Sequence, residues 1–177
     1  MIKNRVMSNQ VFEVARTVLA VREYQDRDVP LDVVRRIVDA GRLTASAANR
    51  QPWHFVVIRD HGALRKLGQL VRTGPYIAQS AFAVVAAYEK GSRFGFSDVS
   101  RAIQTMILTA WAEGVGSNWT GSPGMESVRE EVGFPDTYEV AAVVPFGYPS
   151  RTLGKGRKNR KPAAEVVSGE RFGTPFE

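Results

Sequence analysis

The run AFAVVAAYE at 81–89 is too apolar and too rich in β-branched residues for a helix with one wet face, so it predicts a central strand. A strand buried on both faces needs a covering layer on each side. A chain of 177 residues can supply them, because at this length roughly 70% of the unfolded surface is buried on folding.

The covering layers are legible as helical stripes. Val11, Phe12, Ala15, Val18 and Leu19 share one helical face, with Ser8 or Asn9 placed to cap it. Pro30 opens a second helix with the stripe Leu31, Val34, Ile37 and Val38, ending near Gly41. After Pro52 the apolar run at 55–58 predicts a short buried strand, and Asp60 starts a helix with Ala63, Leu64 and Leu67 inward. Asp98 caps the strongest helix, in which Val99, Ala102, Ile103, Met106, Ile107, Ala110 and Trp111 recur at three and four before Gly114. A glycine-rich loop from Gly121 to Gly124, a short helix at 125–132 and a last core strand at 140–146 complete the pattern. The order α α β α β α α β predicts an α+β sandwich of one sheet and flanking helices, a single domain over 1–177 with an extended basic tail from about residue 150.

Composition excludes several chemistries. The chain has no cysteine and two histidines, His54 and His61. That removes disulfides, thiolate metal sites and thiol nucleophiles, and leaves little for a histidine metal centre or a Ser-His-Asp triad. Chemistry is therefore expected from a bound cofactor or from oriented polar groups. No apolar stretch is long enough to span a bilayer, and a cytoplasmic location is expected. The net charge of +6 equals that of one segment: Arg151, Lys155, Arg157, Lys158, Arg160 and Lys161 are accompanied by no acid. Three readings compete for it: a solvated tail, a nucleic-acid or membrane patch, or a site for a particular phosphate. No aromatic residue interleaves these cations, which argues against nucleic acid.

The segment LTASAANRQPWHFVVIRD at 43–60 is the densest in information. A helix ends, a polar loop with Ser46, Asn49 and Gln51 follows, and Pro52 holds Gln51 extended before a strand begins. Asn and Gln each pair a donor with an acceptor, which matches an amide or imide edge but equally suits tying a helix end to a strand. SAANRQPWHFVVIRD resembles the signature of the FMN-dependent nitroreductase family, a small-residue loop, then N-x-Q-P-W, then a strand. VREYQDRDVP, SDVSRAIQTMILTAWAEGVGSNWTGS, VVPFGYP and KNRKP resemble further landmarks of that family in the same order, so the resemblance spans residues 12–167.

The resemblance implies a central, mostly antiparallel sheet flanked by helices, an interlocked homodimer, and FMN at the dimer interface. It implies hydride transfer from NADH or NADPH through the flavin to a small-molecule acceptor such as a nitroaromatic or a quinone, with no catalytic side chain, metal, nucleic acid or membrane. Arg22, Lys158 and Arg160 match positions that hold the FMN phosphate. Ser46 and Asn49 match loop residues that reach the partner's flavin, Gln51 supports that loop, and Gly121 and Ser122 match a turn whose amides face the flavin. The family's early R-R-S-V-R is replaced by Val18, Leu19, Ala20, Val21 and Arg22, so phosphate binding would rest on Arg22 and the tail. Arg16 and Arg50 are further cations, Arg16 off the helical face that Arg22 needs. A non-catalytic flavin-binding protein, or a reductase using a related flavin or deazaflavin, is the alternative. His54, His61, Trp111 and Trp119 read as packing or surface residues, Trp119 being the better placed to border a ligand; Tyr76 is an unassigned loop aromatic. The short stretch EKGSRFGFS at 89–97 leaves an open or small lid.

Overall fold

The structure, a computed structural model, describes residues 5–121, 125–153 and 158–176, with backbone alone for 5–9. Four strands, β1 (Trp53–Ile58), β2 (Phe82–Glu89), β3 (Gly116–Ser117) and β4 (Tyr138–Gly147), form one sheet in the order β1-β2-β4-β3, every named pair antiparallel. The helices are α1 (Arg5–Thr17), α2 (Leu31–Arg42), α3 (His61–Leu70), α4 (Gly95–Ala112), α5 (Glu126–Glu131) and α6 (Ala163–Val166). This is the α+β sandwich expected.

Strand alternation explains the two cores. Phe82, Val84 and Ala86 of β2 face α2 and α4 and pack with Val34, Ile37, Ile103 and Met106. Ala83, Val85 and Ala87 face the other way and pack with Leu64 and Leu67 of α3 and Val128 of α5. On the first face the rings of Phe82 and Phe146 stack with centroids 4.8 Å apart. Both are fully buried, so truncating either to alanine costs about 3–5 kcal/mol. The register shifts between Ala86 and Ala87, which pair with Ala142 and Val140 and leave Ala141 unpaired. This bulge lets Ala141 and Ala142 both serve the α2/α4 core.

After α1 the chain runs as an extended strap along the far edge of the sheet. Val21 donates its N–H to the Ser117 carbonyl at 2.8 Å, and Tyr24 donates its hydroxyl to the Val21 carbonyl at 2.8 Å. Val21 and Tyr24 are buried, so Arg22 between them points outward and is exposed. Burial pushes the Tyr24 phenol well above the ordinary tyrosine range.

Three details differ from the sequence reading. The first helix ends at Thr17, so Ser8 and Asn9 lie inside it, Val18 and Leu19 lie beyond it, and Val11 and Phe12 are 66% and 62% exposed. Asp98 does not cap α4: the helix starts at Gly95, where a Cβ would come within 2.5 Å of the Tyr88 ring, and the Asp98 side chain turns inward. Trp111 is half-buried and donates its indole N–H to the Thr17 hydroxyl at 3.0 Å, so the last turn of its stripe holds the end of α1. In the tail, α6 and its neighbours are exposed, including Val166 and Phe172.

Candidate functional site

The loop after α2 is built under strain. Thr44 anchors it to α4 through the Thr105 hydroxyl at 3.0 Å, and a single tight turn follows at Ala47–Asn49. Ala48, Asn49 and Gln51 have φ of 50°, 53° and 50°, the left-handed region that costs a non-glycine residue roughly 1–2 kcal/mol. Local bonds hold that geometry. The Gln51 N–H donates to the Ser46 hydroxyl at 2.9 Å, and the Gln51 amide donates to the Asn49 side-chain and main-chain oxygens, each at 3.2 Å. From below, the Ala47 N–H donates to both carboxylate oxygens of Asp98 at 3.3 Å. Asp98 is 1% exposed and also pairs with Arg101. With its oxygens engaged by Gln51, the Asn49 side chain presents its N–H₂ group outward without a partner among the described residues. The extended Gln51 expected before Pro52 is therefore corrected, because the Ser46 and Asn49 bonds favour the left-handed turn.

A second cluster gathers at the C-terminal end of α1. The Lys158 ammonium donates to the Ala15 carbonyl at 2.7 Å, where the helix dipole favours a cation. Loss of water there, then the guanidinium groups of Arg160 and Arg16, hold the Lys158 ammonium below the ordinary lysine range. Arg16, set aside on helical phase, thus stands beside the tail cations, its guanidinium paired with Glu13. Arg160 donates to the Asn159 carbonyl at 2.9 Å. Arg22 lines a separate cleft of about 200 Å³ with Glu23, Ser150, Arg151 and Leu153. Arg50 lies far along the chain from Lys158, on the strained loop.

The loop after α4 is stapled to the segment before β2. The Asn118 side chain donates to the Tyr76 hydroxyl and to the Trp119 carbonyl, and Thr73 and Thr120 share a hydroxyl bond of 3.1 Å. Gly121 follows with φ of 86°, a conformation that favours glycine. Ser122 lies outside the described residues. His54 packs edge-on against Phe134 and Tyr138 on the α3/α5 face, away from the strained loop. Trp119 packs against the α2/α4 core and meets the Phe96 ring edge-on at 6.5 Å.

The strained loop and the cationic cluster therefore sit at opposite ends of α4. Asp98 supports the first and Trp111 the second, thirteen residues apart, or about 20 Å along a helix. A wider cleft, about 660 Å³, is at neither end. It lies between α2 and the edge strand β1, lined by Leu31, Val34, Val38 and Val57 with several arginines.

The fold is shared with known proteins. The model described as "Nitroreductase family" matches residues 16–91 and 69–148. A relative from Methanothermobacter thermautotrophicus named "Putative NADH dehydrogenase/NAD(P)H nitroreductase" is 31% identical over 161 residues, covering 86% of this chain and 84% of the relative. A crystal structure of a protein of the same name from Parabacteroides distasonis superposes with a TM-score of 0.86 at 28% identity, covering 93% of this chain and 99% of that one. An "FMN-dependent Nitroreductase" from Clostridium difficile shares the fold at a TM-score of 0.84 and 22% identity, covering 91% of this chain and 99% of that one. The chain belongs to the Nitroreductase family, a family of oxidoreductases.

Asp98 and Arg16 were missed as site residues for one reason. Asp98 meets Ala47, 51 residues away, and Arg16 stands beside Lys158, whose ammonium bonds Ala15 across 143 residues. An aspartate one turn inside a helix that begins with glycine is the only local signal either leaves.

Proposed function

We propose that the protein is an FMN-dependent oxidoreductase that takes hydride from NADH or NADPH and passes it to a nitroaromatic, quinone or similar conjugated acceptor, working as a homodimer with the flavin at the interface. The observation that carries this is the convergence of Lys158, Arg160 and Arg16 at the end of α1, with Lys158 held below its ordinary range by loss of water and then by the two guanidinium groups. Such a donor set fits a dianionic phosphate, because a dianion relieves the mutual repulsion and accepts charge-assisted hydrogen bonds. Lys158 and Arg160 would hold the phosphate, Arg16 would add to its field, and Arg22, on the neighbouring strap, would contribute by reorienting its exposed side chain.

The strained loop supplies a complementary chemistry. Ser46 has a hydroxyl hydrogen and Asn49 an amide N–H₂ free to donate, which suits the carbonyl edge of a flavin ring. Gly121, in its left-handed conformation, lets backbone approach a ring closely, and Ser122 would complete that turn. When bound, the flavin supplies two-electron acceptance and donation. The protein's part is to orient the ring, donate hydrogen bonds to it and exclude competing acceptors.

The separation of about 20 Å along α4 favours a site in which loop 46–51 comes from one subunit and the phosphate cluster from the other. An interlocked dimer also gives cover to features left bare in one subunit: Val11 and Phe12 of α1, the free edge of β1 with its apolar groove, and the exposed tail with Val166 and Phe172. The whole chain is read as one domain on this account. Among the described residues, no helix is long and apolar enough to cross a membrane.

Anaerobic mixing tests the reading. Holoprotein given NADH or NADPH should lose its flavin absorbance and regain it when a quinone is added. Absorbance that no nicotinamide changes would assign the protein to flavin binding without catalysis.

A further inference from the structure

Two arginines share one cleft with no acid left to neutralise them. A cleft of about 340 Å³ is walled by Ala47, Ala48 and Arg50 of the strained loop and by Arg93, Phe94 and Asp98 at the start of α4. Arg50 and Arg93 are exposed, and neither makes an ion pair among the described residues. The one acid in the wall, Asp98, is already engaged by Arg101 and by the Ala47 N–H. The cleft therefore carries two uncompensated positive charges. It also carries an aromatic wall, since Phe94 is 49% exposed with the Arg93 guanidinium 5.3 Å from its ring centroid.

We infer that this cleft selects conjugated acceptors bearing a carboxylate, with the carboxylate on Arg50 and Arg93 and the acceptor ring against Phe94. The inference rests on the function proposed above, in which loop 46–51 faces the flavin. Guanidinium groups present paired N–H donors that match the two oxygens of a carboxylate, and a neutral acceptor of equal shape would leave both cations unsatisfied. The volume lies at the small end of the range for small-molecule sites, roughly 300–1,000 Å³, and suits one substituted ring. The backbone supports the assignment, because the left-handed conformations of Ala48 and Gln51, one on each side of Arg50, and the buried Asp98 beneath hold one wall in place.

The test compares 4-nitrobenzoate with its methyl ester as acceptors for the holoprotein. In parallel, 4-nitrobenzoate is titrated calorimetrically in the absence of nicotinamide. Wild-type protein should prefer the carboxylate in kcat/KM. Arg50→Gln and Arg93→Gln should each lower the carboxylate-to-ester ratio by about fivefold to tenfold, chiefly through KM, and weaken the calorimetric affinity by a similar factor. Arg93→Lys should recover part of both, and Arg65→Gln on α3 should leave both at the wild-type value. A ratio and an affinity indifferent to Arg50 and Arg93 would overturn the inference while leaving the oxidoreductase reading intact. Carboxylate binding that depends on both arginines, with neither compound reduced, would sustain the anion site and overturn the oxidoreductase reading.

Discussion

Asp98 receives the Ala47 N–H with both carboxylate oxygens at 3.3 Å, from a side chain that is 1% exposed. A buried carboxylate is tolerated only when paired and hydrogen-bonded, and here Arg101 supplies the charge while Ala47 supplies a backbone donor. The bond spans from the first turn of α4 to a loop whose backbone is unfavourable on its own. Asp98→Ala should therefore cost about 2 kcal/mol, the unpaired Ala47 N–H and lost ion pair together, with half-exposed Arg101 limiting the penalty. Chemical denaturation with an unchanged slope would show the loss, and amide exchange at 46–51 would rise first. Wild-type stability in the variant would mean that the loop holds itself.

The tail cations give the second prediction. Arg160→Ala and Lys158→Ala should each weaken FMN binding at least tenfold, since a charge-assisted phosphate contact contributes ~1.5–3 kcal/mol. Riboflavin, which lacks the phosphate, should bind both variants as it binds the wild type. Equal losses for the two flavins would place these residues in structural support of α1, through the Lys158 bond to Ala15, and outside the phosphate site.

Proton linkage at Lys158 gives the third. Its ammonium titrates below the ordinary lysine value because of lost hydration and the neighbouring Arg160 and Arg16. A bound dianion favours the charged form, so FMN should move the titration upward. Binding then takes up protons between the free and bound pKa values, and affinity falls as pH rises through that window. Carbon-13 NMR of labelled lysine side chains, with and without FMN, reads this directly. A titration that FMN leaves in place would separate Lys158 from the phosphate.

Close packing at the strap gives the fourth. A Cβ on Gly116 would lie 2.5 Å from one Val21 methyl and 2.8 Å from its Cβ. Gly116→Ala should displace the strap that carries Arg22 and destabilise the protein by about 1–3 kcal/mol. Thermal unfolding reads the stability, and FMN affinity should fall with it. An unshifted midpoint would show that Val21 can move aside without cost.

What the sequence discloses depends on the range of the interaction. The stripes Val34 and Ile37, Leu64 and Leu67, and Ile103 and Met106 are local periodicities, and each becomes a core face. The run at 81–89 reads as a buried strand because both of its faces are apolar, and β2 is buried on both. β3 has no such pattern. It is two residues long and exists because Gly116 and Ser117 pair with Gly147 and Phe146. The loop motif of Ser46, Asn49 and Gln51 is legible as residues but not as backbone, since nothing in Ala48 or Gln51 announces a left-handed conformation. Asp98 looks like a helix cap from its neighbours alone, and only Ala47 reveals it as a support. The apolar face of Val11 and Phe12 is periodic yet exposed, because periodicity marks a face for burial without saying which molecule buries it.

A flavin held by two copies of this chain is the central claim. The direct measurement is the visible absorbance of the purified protein across a size-exclusion peak with light-scattering mass. Flavin absorbance coincident with a dimer, at about one FMN per subunit, is the predicted result. A colourless protein that takes up no added FMN, or flavin carried by a monomer at full affinity, would contradict it.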